Sequence, residues 1–238
     1  MFDFIINIFD FFLYRPLFNA LVLLYNYIPG HDFGIAVILL TIIIRVVLYP
    51  IAVKSLNSQK VIQKIQPKIK EIQKKYKDDK EKLAKETFEI YRKEKINPFS
   101  GLFLALAQLP ILIALYRVFW QGLKQSELAN LYNFVLNPVV INANFLGIVD
   151  LSKPNIVFAV LSGVLQFFQT KMMLPKTVIK EKSSGLDFSQ VMQKQMLYFF
   201  PVLTIIILLG LPSAIGLYWT VSGIFSIAQQ YFLLKKKD

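Results

Sequence analysis

GIAVILLTIIIRVVLYPIAV, residues 34–53, is apolar throughout except for Thr41 and one permanent charge, Arg45. A helix of this length rises about 1.5 Å per residue and matches the roughly 30 Å hydrocarbon core of a bilayer. Arg45 comes eleven residues after Gly34, which places it about 16 Å deep, close to the midplane. Burying an arginine there costs about 2.5–3.5 kcal/mol on insertion scales, so partners or water must offset it. Pro50 removes an amide inside the run and frees the carbonyl of Val46, so the helix is expected to loosen just past Arg45.

Outward from this run, the rest of the 238-residue chain follows the same logic: 55% of its residues are apolar and 21 are Phe. A soluble domain of this size would bury a core without needing several nearly uncharged runs. Four further runs are expected to span: 98–119, 155–173, 196–211 and 212–234. The reading is an all-α polytopic membrane protein with five transmembrane helices. Residues 1–33 read as an extracytoplasmic interfacial helix region, because 1–13 mixes Phe and Ile with Asp3 and Asp10, and 17–28, short for a span and closed by Pro29-Gly30, fits an amphipathic helix lying in the membrane surface.

Between the first two spans the composition inverts. Residues 54–97 hold 14 Lys or Arg against 7 acids. Val61, Ile65, Ile69, Ile72 and Tyr76 form a stripe of helical period, and Leu83, Phe88 and Tyr91 form a second after a break at 77–79. This is the pattern of a helical hairpin projecting into water. The stripe needs something to lie against, although a charged, solvated element that only enforces topology fits the same composition. The 120–154 loop carries few charges and a short helical pattern near 127–135, and the 174–195 loop holds a Ser-Ser-Gly stretch among Lys176, Lys180 and Lys182. The tail, 235–238, is basic.

Alternating spans place 21 of the 27 Lys and Arg residues, those of the hairpin, the 174–195 loop and the tail, on one side. By the positive-inside rule that side is cytoplasmic and the N-terminus lies outside. The net charge of +12 is thereby explained without nucleic acid.

Depth arithmetic repeated for each span yields a polar layer. Gln108 and Gln166 sit about 15 Å deep, with Thr204 and Ser222 near the same level. Gln169 lies a turn nearer the cytoplasm, while Tyr218 and Trp219 lie nearer the outside. None of the five spans contains Asp or Glu, so the five-donor guanidinium of Arg45 has no internal carboxylate; water or a visiting anionic group must supply acceptors. Gln108, Thr204 and Ser222 also fit a bland role as hydrogen-bonding glue between helices.

Catalytic signals are missing. There is no phosphate-cradling G-x-x-x-x-G-K-[ST] motif, no Cys and a single His, His31, so neither nucleotide hydrolysis nor a His/Cys metal site is expected, and no cofactor. Three functions remain open on the residues: an insertase that shortens the dry path of polar segments, an anion-binding channel or transporter using Arg45, and a structural assembly partner of a larger translocase.

Several stretches, in this order, resemble the YidC-type membrane protein insertases, whose relatives include the mitochondrial Oxa and chloroplast Alb proteins. They are Arg45 followed by Pro50, QKIQPKIKEIQKKYKDDKEKLAKE from Gln63, PILIALYRVF at 110–119, FLGIVDLSKPN at 145–155 and LPSAIGLYWTVSGIFSIAQQYF at 211–232. The resemblance implies five spans around a hydrophilic groove that opens to the cytoplasm and the lipid. Arg45 then matches the groove arginine, Trp219 and either Gln166 or Gln169 match other groove residues, and the hairpin is the mobile, substrate-receiving element. It also implies a non-enzymatic membrane protein, bacterial and in the inner membrane, whose partners are nascent membrane proteins and the lipid bilayer. The Sec translocon and the ribosome are candidate further partners, and a monomer is expected. Fewer than 34 residues precede the first core span, so a short form without the large extracytoplasmic domain is expected. The tail of Lys235 to Lys237 argues against tight ribosome binding through it.

Overall fold

The computed structural model describes residues 2–77, 79–95, 97, 100–122, 124–174 and 195–235. The four lysines of the 174–195 loop and residues 236–238 of the tail lie outside the described residues.

The first helical stretch is α1, Phe2–Phe9, continued through a π turn, Asp10–Tyr14, into α2, Arg15–Tyr27. Pro16 has no amide to offer the preceding turn, which accounts for the wide turn at that point. An interfacial segment followed by an interfacial helix was expected here; the backbone is helical without interruption from Phe2 to Tyr27. Phe4–Tyr27 is long and apolar enough to cross a membrane. Gly30 and His31, with φ of 77° and 50°, turn the chain into α3, whose N-terminus is capped by Asp32 accepting from the Ile35 amide at 2.9 Å.

α3, Phe33–Val47, is followed by α4, Tyr49–Lys75, and the two axes differ by 61°. The 34–53 run is therefore not one straight helix. The break falls where Pro50 lacks the amide that would have bonded Val46, and Arg45 occupies the last turn before it. α5, Lys80–Lys93, folds back on α4 after an Asp79 cap, and α6, Ser100–Trp120, packs against α4. The following loop contains a 3₁₀ turn, Gln125–Asn130, in place of the helix expected to about 135, and a minimal strand pair, β1 Asn144–Phe145 with β2 Val149–Asp150.

α7, Ile156–Met173, starts on an Asn155 cap. A π turn, Gln195–Phe199, leads into α8, Phe200–Leu208, and α9, Ser213–Lys235, completes the chain. α7 lies between α8 and α9, α9 also packs on α3, and α2 crosses α3 and α6. Two glycines permit the closeness. A Cβ on Gly163 would come within 2.5 Å of Ile205, and one on Gly216 within 2.9 Å of Phe158, so small residues set the helix spacing here.

The buried cluster, including Phe18, Phe33, Leu115, Phe119, Leu151 and Ile215, gathers where α2, α3, α6 and α9 meet the 121–155 loop. This is called the loop end below; the opposite end, carrying α4 and α5, is the hairpin end. Large apolar side chains are exposed along α3 (Ile43, Val47), α6 (Leu109, Ile113), α7 (Val164, Phe168), α8 (Val202, Ile206) and α9 (Ile224). Apolar outward faces on helix after helix are what a lipid-facing surface requires. Ile156–Met173 is a second helix long and apolar enough to cross a membrane, and α3 with α4 qualifies as one bent span.

Candidate functional site

Arg45 is reached from the sequence upward: α3 is apolar, its last turn carries the guanidinium, and α9 packs alongside. Its Nε is buried with no hydrogen-bond partner among the described residues. The Tyr218 hydroxyl lies within electrostatic range of it. Tyr218 is itself buried, at 2% exposure, and accepts a hydrogen bond from the Gln108 side-chain amide, tying α6 to α9. Arg45, Tyr218 and Gln108 thus form one group.

A second group joins α7 to α8. The Thr204 hydroxyl donates to Gln166 Oε1 at 2.6 Å. Ser162, which the residue pattern alone did not single out, donates to the Gly216 carbonyl at 3.1 Å and meets the Thr220 hydroxyl at the same distance. Of the two candidate glutamines, Gln166 is the one bonded within the bundle; Gln169 is half-buried and makes no hydrogen bond to the described residues. Trp219 is partly buried against the apolar cluster. Ser222 is buried at 1% exposure, and its hydroxyl has no partner among the described residues.

The sequence reading stopped at Ser222, whereas the buried polar face of α9 continues through Ser226, Gln229 and Gln230. Positions 218, 222, 226 and 229 recur at helical spacing, so the continuation was available in the residue order. Six buried side-chain atoms lack a partner among the described residues, and five of them lie from Arg45 to the hairpin end: Arg45 Nε, Ser222 Oγ, Gln229 Nε2, Gln230 Oε1 and, on α4, Gln59 Oε1. Nearby, a cavity of about 280 Å³ is lined by Gln59, Gln63, Gln66, Thr170, Met173 and Met196, among others.

On the hairpin, Ile65 and Ile69 are buried, while Val61, Ile72, Tyr76, Leu83 and Tyr91 are half-buried. The stripe of α4 thus lies against protein at its centre. At the loop end the structure shows a polar network that sequence reasoning missed. Arg117 pairs with Asp10 and lies over the Tyr14 ring at 4.4 Å, and Tyr14 donates to Glu127 at 2.5 Å. Asp10 and Arg117 are 107 residues apart, which no local pattern reveals.

The family model of the 60Kd inner membrane protein matches residues 23–238. A protein of Fusobacterium nucleatum named membrane protein insertase YidC is 35% identical over 205 residues, covering 86% of this chain and 87% of its own. One of the same name from Clostridium tetani is 33% identical over 211 residues, 88% of this chain and 84% of that protein. A third, from Syntrophus aciditrophicus, is 34% identical over 223 residues, and the chain spans 36% of that relative's length.

Proposed function

Since the chain belongs to the 60Kd inner membrane protein family, that of the YidC membrane protein insertases, we propose that it receives hydrophobic proteins at its hairpin end and passes them into the bilayer past Arg45. In this reading five spans enclose a hydrophilic groove, formed by α3, α6, α7, the 195–208 helix and α9. The hairpin and the C-terminus face the cytoplasm of a bacterial cell and the loop end faces outward. The Phe4–Tyr27 stretch packs beside the bundle, as an interfacial helix or a sixth crossing.

One observation carries the groove. Five buried polar atoms with no partner among the described residues run from Arg45 to the hairpin end. Such atoms cost roughly 1–3 kcal/mol each when left dry, so they belong on a path that takes water or a polar polypeptide. A polar tail crossing bare lipid faces several kcal/mol for each charge and unpaired amide. A wet groove halfway across shortens that dry path. An acidic tail then meets Arg45, the only charge in α3, the apolar segment moves along α7 and α9 into lipid, and its own hydrophobic transfer drives release. Arg45, Gln108, Gln166, Gln169, Thr204, Tyr218, Trp219 and Ser222 line the way, and no covalent step is required.

The test is reconstitution. Purified protein in liposomes should raise protease protection of a single-span protein with an acidic N-terminal tail at least several-fold over protein-free liposomes. Protection no better than in protein-free liposomes would overturn the reading. Saturable, Arg45-dependent anion flux through the same liposomes would favour a channel instead.

A further inference from the structure

The connection between α6 and α7 is built unlike the hairpin. No charged residue occurs between Glu127 and Asp150, whereas residues 54–97 hold 14 Lys or Arg and 7 acids. Within that neutral stretch Phe134, Leu136, Val139, Val140, Leu146 and Ile148 are between 59% and 83% exposed. Single exposed apolar residues are ordinary; six of them in one uncharged connection form a surface that needs a cover.

The backbone of this connection is already provided for. Asn26 donates to the Leu136 carbonyl at 2.6 Å, Asn137 Oδ1 accepts from the Val139 amide at 2.9 Å, the Tyr25 hydroxyl accepts from the Asn142 amide at 3.0 Å, and Asp32 accepts from the Leu146 amide. The Val140 and Ile148 amides turn back to the Pro138 and Phe145 carbonyls. Amides satisfied within the protein beneath apolar side chains that point outward are what a segment leaving water for an apolar medium requires.

Position identifies the medium. The lipid-facing surface of the bundle reaches this connection from both sides. On α6 it ends in Tyr116 and Trp120, exposed and stacked at 5.7 Å, and on α7 it begins in the first turn, at the exposed Ile156 and Val157. Tyr and Trp collect where membrane meets water. Leu146 and Ile148 occupy the turn between β1 and β2, a few residues before α7, so the apolar surface of the connection continues the lipid-facing belt.

We propose that residues 134–148 seat in the bilayer leaflet at the loop end, with their apolar side chains among the headgroups and first acyl carbons. A segment held this way lies in the membrane surface without spanning it. The connection is also fixed to α3, because the Phe145 ring lies against Gly34 and the Leu146 amide bonds Asp32, the residue that caps α3. The depth of the seat is thereby passed to α3 and to Arg45, twelve residues past Phe33, or about 18 Å along the helix. None of this rests on the insertase reading.

The chain contains no cysteine, so one introduced thiol reports one position. Full-length Val140→Cys and Ile148→Cys, each carrying a nitrobenzoxadiazole label, are reconstituted in vesicles of phosphatidylcholine and phosphatidylglycerol. Lys68→Cys, on the exposed side of the hairpin, serves as the aqueous control. Phosphatidylcholine spin-labelled near the headgroup should quench the labels at 140 and 148 at least threefold more than the control, and iodide should quench them at least threefold less. Iodide quenching equal to the control would overturn the seat and leave the patch to a partner protein. Shielding from both quenchers would overturn it too, in favour of a second copy of the chain. A second measurement avoids the bulky label. Both thiols are at exposed positions of the protein, so a water-soluble maleimide should modify them as fast as Lys68→Cys unless lipid covers them. The seat requires rates at least fivefold slower in vesicles, and equal rates would overturn it.

Discussion

The two ends of the bundle are built on opposite principles. At the loop end many polar groups are paired, several of them across long sequence distances. Asn19, 3% exposed, donates to the carbonyls of Arg15 and Asn130 and accepts from the Tyr132 amide. The Tyr25 hydroxyl takes the Asn142 amide, Asn26 reaches the Leu136 carbonyl, and Asp32 takes the Leu146 amide. The Lys153 and Leu151 carbonyls accept from Ser213 and Ala214 at the start of α9. At the hairpin end a few side-chain caps, Gln63 on the Met173 carbonyl of α7 and Lys60 on the Leu233 carbonyl of α9, coexist with a cavity and with amide atoms that have no partner among the described residues: Gln59 Oε1, Gln229 Nε2 and Gln230 Oε1. One end is sealed by satisfied bonds; the other is held by weak ones. An insertase that takes its substrates from one side needs such an asymmetry, one end holding while the other yields.

The contrast breaks most readily at Gly34. A Cβ there would lie 2.1 Å from the Phe145 ring, so Gly34→Val should overpack the loop end by about 3 kcal/mol and lower the detergent-solubilised Tm by about 5–10 °C. Gln63→Ala at the other end should cost about 1 kcal/mol or less. Comparable shifts from the two variants would erase the distinction.

Next comes the pair of Asp10 and Arg117, whose side chains are 30% and 28% exposed. Asp10→Ala should destabilise by about 1–2 kcal/mol, between the values for exposed and buried pairs, and Arg117→Met on top should recover part of it. Chemical denaturation of the single and double variants checks the coupling. A smaller loss, about 0.6 kcal/mol, is expected for Gln166→Leu, which strips one interhelical bond from Thr204. Smallest is the effect at Asp150. Its carboxyl is held below its ordinary value by the Ser152 hydroxyl first, then by Lys153 and the Ser152 amide. A depressed carboxylate stabilises the fold above its ordinary pKa and loses that contribution as the pH falls through the lowered one. Tm differences between the parent and Asp150→Asn should therefore be present near neutrality and vanish in acid.

Much of the helical fold was legible because spans and hairpin differ so sharply in composition and period. Pro50 announced the break after Arg45, although only the structure shows its 61° angle. The depth arithmetic set Gln166 and Thr204 at one level, and they are bonded; it set Tyr218 outward of Gln108, and those two are bonded as well, because side chains of that length reach across more than one turn. The continuity of residues 2–27 was hidden by Asp10 and Arg15, which read as surface charges until Asp10 is seen to pair with Arg117 and Arg15 to lie over the Tyr132 ring at 5.3 Å. The caps from Lys60 and Gln63 had no signal, since they are made to backbone carbonyls, which every residue carries.

The most direct measurement pairs Arg45 with the charge of the passing protein. Insertion of single-span substrates whose N-terminal tails carry either two acidic residues or none is compared between the parent, Arg45→Lys and Arg45→Ala in the same liposomes. If Arg45 meets acidic tails, Arg45→Ala should lose at least fivefold for the acidic tail and less than twofold for the neutral one, with Arg45→Lys retaining most insertion of both. Loss independent of tail charge, or no loss for the acidic tail, would contradict it.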